Sequence, residues 1–125
     1  MLARASLALL IAAGCGSSND TKNVDAAASA STVMEVDCAA NPPNATIKTM
    51  SFMFMPADTP ITVGQVVQWQ LETAHTLTSD AGAGMTDSGI KLTAGQTGCL
   101  KFTAAGTFHY MCGIHNTMKG TVTVH

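Results

Sequence analysis

Apolar and polar residues alternate in short runs along most of the chain after residue 43. Residues 61–71 are rich in β-branched side chains, and Phe108, Tyr110 and Cys112 recur at every second position. A spacing of two is that of a strand with one buried face, and β-branched residues favour strands. Turn-forming segments separate the runs, and no stretch shows the period of a long helix. The pattern therefore predicts an all-β sandwich.

The region from residue 45 to residue 60 is expected to hold strand structure followed by a turn. Residues 45–55 predict one strand or a pair of strand segments, in which Met50, Phe52 and Phe54 line up at a spacing of two. Residues 56–60 contain two prolines and are expected to turn the chain.

The first fifteen residues have the composition of an export signal. Arg4 is their only charged side chain, a short apolar run follows it, and Ala13-Gly14-Cys15 is a small-residue cleavage site that ends in cysteine. The apolar run is too short for a transmembrane helix. We expect residues 1–14 to be a lipoprotein-type signal peptide and Cys15 to carry a lipid anchor. An ordinary secretory signal that is cut nearby is the alternative.

Residues 15–31 are small and polar, with no periodic apolar face, and they predict a flexible tether. Residues 32–125 remain for a single domain, in keeping with the length of 125 residues. Charged residues are 11% of the chain and the formal net charge is −2, so there is no basic surface for nucleic acid.

The four cysteines have different expected roles. If Cys15 carries lipid and Cys112 binds metal, Cys38 and Cys99 remain, and an oxidising exported environment makes a disulfide between them plausible. Two separate buried thiols are the alternative.

A compact set of metal-binding side chains lies near the C-terminus. Cys112, His115 and Met118 follow the spacing C-x-x-H-x-x-M, which places a thiolate, an imidazole and a thioether within seven residues. Copper accepts these soft and borderline donors, whereas Mg²⁺ and Ca²⁺ prefer oxygen. His75, from a predicted strand upstream, would complete a trigonal His₂Cys set with an axial methionine, the arrangement of blue-copper electron-transfer sites.

Several further segments share a pattern with a known family. They are residues 61–69, His75-Thr76-Leu77-Thr78, Asp87-Ser88-Gly89, the Phe108-x-Tyr110-x-Cys112 run and the His115-x-x-Met118-x-Gly120 run. Over about residues 44–125 the chain resembles the plastocyanin-like cupredoxins, which are small blue copper proteins, and its short ligand loop is similar to that of amicyanins. Gln65 stands where the family often has an acidic residue, and methionines replace some phenylalanines before the first turn.

The resemblance implies a Greek-key β-sandwich that holds one type 1 copper ion through His75, Cys112, His115 and Met118. It also implies a periplasmic electron carrier, not an enzyme, that is monomeric and docks transiently with redox protein partners. His115 would be the more exposed ligand, with Ile114 in a small apolar docking patch. We further expect the backbone N–H of Thr76 to contact the Cys112 sulfur.

Two other functions are alternatives to electron transfer. A copper-binding module for metal handling would use the same ligands, so it stays open as the alternative. A copper oxidase or reductase domain needs a second metal site, and the sequence contains no paired His-x-His or His-Cys-His motif. The methionines at positions 50, 53, 55 and 85 would suit copper scavenging, but adaptable core packing is the commoner use of methionine.

Overall fold

The structure is a computed structural model that describes residues 30–84 and 86–125. The predicted signal peptide and most of the predicted tether lie outside these residues, so that division of the chain stays a prediction. The strands are β1 (Val33–Val36), β2 (Ala45–Met50), β3 (Met53–Met55), β4 (Asp58–Ile61), β5 (Val66–Gln70), β6 (Leu77–Ser79), β7 (Lys91–Leu92), β8 (Thr97–Phe102), β9 (Gly106–Met111) and β10 (Lys119–Val124). A 3₁₀ turn, Ala81–Ala83, lies between β6 and β7.

The strands form two five-stranded sheets, one in the order β1-β8-β5-β2-β3 and the other in the order β4-β10-β9-β6-β7. The β2–β5 and β4–β10 pairs are parallel, and the remaining pairs are antiparallel. Aromatic side chains from both sheets meet in the core, where the rings of Trp69 and Tyr110 lie 5.3 Å apart and those of Phe102 and Phe108 5.2 Å apart. The predicted all-β, Greek-key sandwich is confirmed.

The region of residues 45–55 forms a pair of strand segments joined in a tight hairpin, so the second of the two predicted alternatives is confirmed and a single continuous strand is excluded. Met50 pairs with Met53 across a two-residue turn, and Ser51 in that turn has a φ of 55°. The turn breaks the alternation of the two strands, so Phe54 is buried while Met50 and Phe52 are exposed. The prediction that these three side chains share a face is therefore wrong.

The expected turn over residues 56–60 is in part a strand. Residues 58–61 form β4, which runs parallel to β10 at the edge of its sheet. Proline lacks a backbone N–H, but an edge strand needs hydrogen bonds on one side only, which is why Pro60 is tolerated there.

The compact unit spans Ser31–His125. Asp87 fastens its N-terminal end, since its carboxylate accepts hydrogen bonds from the hydroxyl of Ser31 and from the backbone N–H of Thr32 and Gly89. Burial raises the pKa of this carboxyl, but the hydrogen bonds lower it by a larger amount. The pKa of Asp87 therefore lies below its ordinary value.

The predicted disulfide between Cys38 and Cys99 is confirmed, with a Cα–Cα distance of 5.4 Å. Within the described part of the chain, no helix is long and apolar enough to cross a membrane.

Candidate metal centre

Three of the four predicted ligands converge at one end of the sandwich. Strand β6 pairs with β9 through Thr78 and Met111, which brings the segment just before β6 alongside the segment just after β9. As a result, the Cys112 Sγ lies 4.0 Å from the Nδ1 of His75 and 3.9 Å from the Nδ1 of His115, and the two Nδ1 atoms lie 3.3 Å apart. Cys112 and His75 are buried and His115 is half-buried, so His115 is the more exposed of the three, as expected.

The dimensions of this triangle fit a single metal ion. The point equidistant from the three donor atoms lies about 2.2 Å from each, close to the metal–nitrogen and metal–sulfur bond lengths of roughly 2.0–2.3 Å known for Zn²⁺. Two imidazoles and one thiol sulfur are also donors that copper accepts. The residues therefore fit the metal in both spacing and chemical type.

Met118 closes the short loop that carries Cys112 and His115. The backbone N–H of Cys112 donates to the Met118 carbonyl at 2.9 Å, and the N–H of Met118 donates to the His115 carbonyl at 2.9 Å. The side chain of Met118 is buried in the core next to this loop. These contacts fix the fourth predicted ligand within the interior, and its role as an axial ligand stays a prediction.

The surroundings of Cys112 favour its thiolate form. Burial raises the pKa of the thiol, but the backbone N–H groups of Thr76, His115 and Ile114 point toward it and lower the pKa to about 6. The N–H of Thr76 donates to the sulfur at 3.4 Å, which confirms the contact expected from the sequence. A sulfur that is already ionised near neutral pH is ready to bind a metal cation.

Thr76 also fixes the loop on the other side of the sulfur. Its hydroxyl accepts a hydrogen bond of 2.9 Å from the backbone N–H of Gly113. Gly113 has little room for a side chain at this point, since an added Cβ would lie 3.0 Å from the same hydroxyl. Thr76 therefore ties the segment before β6 directly to the ligand loop.

Glu72 is a contact of the site that sequence reasoning missed. Its carboxylate lies 3.4 Å from the Nε2 of His75, and its carbonyl accepts a hydrogen bond of 3.0 Å from the His75 backbone N–H. A carboxylate on the outer nitrogen of a ligating imidazole fixes the ring orientation and makes the inner nitrogen a better donor. The three-residue spacing between Glu72 and His75 is the only sequence signal for this contact.

Phe52 is the second missed residue. Its ring meets those of His115 and His75 edge-on, at centroid distances of 5.0 Å and 6.0 Å, although 65% of its surface is exposed. Ile114 is 58% exposed on the ligand loop itself. The half-buried imidazole of His115 is thus flanked by exposed apolar side chains.

A sequence profile of copper-binding proteins, the plastocyanin/azurin family, matches residues 19–125. The match includes the whole sandwich and the segment of every predicted ligand. The chain belongs to the plastocyanin/azurin family. It is a copper-binding electron-transfer protein, and copper is its cofactor.

Solved amicyanins share the fold of this plastocyanin/azurin family member. A reduced tryptophan-to-tyrosine mutant is 23% identical, with a TM-score of 0.59 over 75% of this chain and 99% of the amicyanin. Amicyanin from Paracoccus versutus (Thiobacillus versutus) is 22% identical, with a TM-score of 0.57 over 77% of this chain and 100% of its own. The Cu(I) form of a methionine-to-alanine mutant is 25% identical, with a TM-score of 0.55 over 74% and 92%. No curated protein sequence matches the chain.

Proposed function

We propose that this protein is a periplasmic one-electron carrier with a single type 1 copper site, held by His75, Cys112, His115 and Met118. The observation that carries the proposal is the triangle of two imidazole nitrogens and one sulfur, with sides of 3.3 to 4.0 Å. Bound copper would supply the Cu(II)/Cu(I) couple. A His₂Cys set with a weak axial methionine is the ligand arrangement of blue-copper electron-transfer sites.

The fold supports this chemistry by keeping the metal-ligand atoms in fixed positions. The sulfur is fixed by the Thr76 N–H, and the His75 ring is fixed by Glu72. The loop from Cys112 to Met118 is closed by its two backbone hydrogen bonds. Donors that cannot move keep one geometry in both oxidation states, so little reorganisation accompanies the transfer of an electron.

The surface near His115 suits brief encounters with redox partner proteins. Phe52 and Ile114 provide exposed apolar area beside the half-buried imidazole. A small apolar patch of this kind favours weak, transient association over a permanent interface. We place electron entry and exit at the His115 edge of the protein. In this proposal the protein acts as a monomer and catalyses no reaction of its own.

The proposed location rests on two features. Residues 1–15 have the pattern of a lipoprotein signal, and Cys15 would anchor the mature chain to the membrane by a lipid. The disulfide between Cys38 and Cys99 is typical of an oxidising compartment outside the cytoplasm.

The experiment that tests electron transfer compares redox cycling with copper release. An electron carrier should give a reversible one-electron wave in voltammetry and should keep its copper when the reduced protein is held with a Cu(I) chelator. It should also show rapid self-exchange, as line broadening in NMR spectra of mixed oxidised and reduced protein. Slow self-exchange together with rapid loss of Cu(I) to the chelator would contradict the proposal and favour a copper-handling module.

A further inference from the structure

The hairpin of β2 and β3 exposes three methionines. Met50, Met53 and Met55 have 55%, 56% and 44% of their surface exposed, so the interpretation of these residues as core packing is wrong. Methionine normally fills gaps in cores, and exposed thioethers in one short hairpin therefore require another explanation.

The three side chains lie on one face of the hairpin. Thr49 and Phe54, which alternate with them, are buried, so the methionines point outward. Met50 is paired directly with Met53, and Met55 is paired with Lys48 and lies diagonal to Met50. Directly paired residues have Cβ atoms about 5 Å apart and diagonal ones roughly 7–8 Å apart. The methionine side chain has three rotatable bonds, which allow the sulfurs to meet from such positions.

We propose that Met50, Met53 and Met55 form a second copper site, one that binds Cu(I). Thioether sulfur is a soft donor that selects Cu(I), and the outward face of the hairpin offers no imidazole or carboxylate that would suit Cu(II). Lys48, on the same face, carries a positive charge and weakens the binding of a cation. The site is therefore expected to bind Cu(I) more weakly than the buried centre does.

The hairpin also places this site beside the buried centre. Phe52, in the turn between Met50 and Met53, is the residue that meets the His115 ring at 5.0 Å. A Cu(I) ion on the methionines is thus held near the half-buried ligand through which a metal would reach the interior. The proposal does not depend on the electron-carrier function, because the thioethers are separate from the buried donors.

The test is titration of the reduced, copper-loaded protein with further Cu(I), buffered by a chromogenic Cu(I) chelator, while the methionine methyl groups are followed by NMR. One additional equivalent should bind, and the methyl signals of Met50, Met53 and Met55 should shift. The signal of Met34, which is 47% exposed on β1 at the opposite edge of the sheet, should not. Failure to bind a second equivalent would overturn the proposal and leave a protein-docking role for this face.

Variants separate this site from the buried one. Met50→Leu/Met53→Leu should weaken the second binding at least tenfold, whereas the matched control Met34→Leu should leave it unchanged. All three positions are exposed and leucine is close to methionine in volume, so folding should persist. Cys112→Ser should remove the visible colour of the Cu(II)-loaded protein, yet titration of this variant with Cu(I) should still shift the methyl signals. Equal losses in the Met34 variant, or full binding in the double variant, would refute the site.

The protonation behaviour gives an independent readout. A thioether has no proton to lose, so binding at the methionines should stay the same between about pH 7 and pH 5, whereas metal binding to thiols and imidazoles weakens as they protonate. A fall of tenfold or more in this second affinity between those pH values would show that the metal sits on other side chains.

Discussion

At the scale of single residues, Cys112 combines complete burial with a lowered pKa. A buried thiol normally resists ionisation, but three backbone N–H groups surround this sulfur and their stabilisation of the charge exceeds the effect of burial. The backbone explains how a buried thiol can have a lowered pKa, because the fold itself supplies these N–H donors.

The pH dependence of the metal-free protein should reveal this thiolate. The folded pKa of about 6 lies below the ordinary thiol value of 9.0, so the thiolate stabilises the folded state above pH 9 and this contribution is lost as the pH falls through 6. As the pH increases from 6 to 9, the free energy of unfolding should rise by up to about 1.4 kcal/mol per pH unit. Urea unfolding of the wild type and of Cys112→Ser at a series of pH values isolates the effect. A parallel pH dependence in both proteins would contradict it.

The contact between Glu72 and His75 predicts that a carboxylate outside the ligand set affects the affinity for copper. Glu72→Ala removes the group 3.4 Å from Nε2 and should weaken copper binding by about tenfold, the lower end of the known range, because Glu72 is more than half exposed. Glu72→Gln, which keeps an oxygen acceptor, is the matched control and should lose less. Competition with a chelator measures both. Wild-type affinity in the alanine variant would show that the carboxylate does not orient the ring.

The ligands could be proposed from the sequence because thiol, imidazole and thioether at short spacing have few other uses together. The contacts of Glu72 and Phe52 with the imidazoles could not be predicted, since each contact depends on the path that a turn takes. Tyr110 is another case. Its hydroxyl is buried without a hydrogen-bond partner among the described residues, which no sequence pattern indicates. Burial raises the pKa of this phenol above its ordinary value.

At the scale of the elements, the pairing of β9 with β10 determines how the ligand loop leaves the sheet. Gly120 lies opposite Tyr110, and the Tyr110 ring covers the glycine so closely that an added Cβ would lie 2.3 Å from its oxygen. The contact leaves no room for any other residue at position 120.

Gly120→Ala should therefore destabilise the protein. Overpacking of a full core costs about 1–3 kcal/mol, and the rigid ring cannot move away without disturbing Trp69, which it meets at 5.3 Å. Thermal unfolding of the variant and of Thr123→Ala, a half-buried change on the same strand, provides the comparison. A midpoint for Gly120→Ala equal to that of the control would mean that the ring is free to shift.

The all-β architecture and a pair of strand segments over residues 45–55 were predictable from the sequence, but the tight turn that joins those two segments was not. An apolar spacing of two continues across Met50, Phe52 and Phe54, and the sequence offers no glycine or asparagine in the turn. Ser51 adopts the positive φ that those residues usually supply. Since a one-residue shift moves a strand's side chains to the opposite face, this one turn decides that the methionines are exposed.

At the scale of the whole molecule, the disulfide fixes one edge of the sandwich. It joins the segment after β1 to β8, two strands that are already paired, across a sequence separation of 61 residues. Its contribution comes mainly from restricting the unfolded chain.

Removal of the disulfide should lower the stability of the domain by about 4 kcal/mol without changing the fold. Cys38→Ala/Cys99→Ala should unfold at a lower urea concentration than the wild type, and a reductant should shift the wild type but not the variant. The metal-free protein is the suitable sample, since copper would add its own stabilisation. If the reductant leaves the wild-type midpoint unchanged, the disulfide has no such role.

We propose that one copper ion is held by a buried thiolate and two imidazoles from distant parts of the chain. The most direct measurement is the visible absorption of protein loaded with one equivalent of Cu(II), together with its metal content. We expect one bound copper, an intense thiolate-to-copper charge-transfer band, and loss of that band in Cys112→Ser and His75→Ala while the sandwich stays folded. A colourless wild-type protein with one bound copper, or a band that survives in Cys112→Ser, would contradict it.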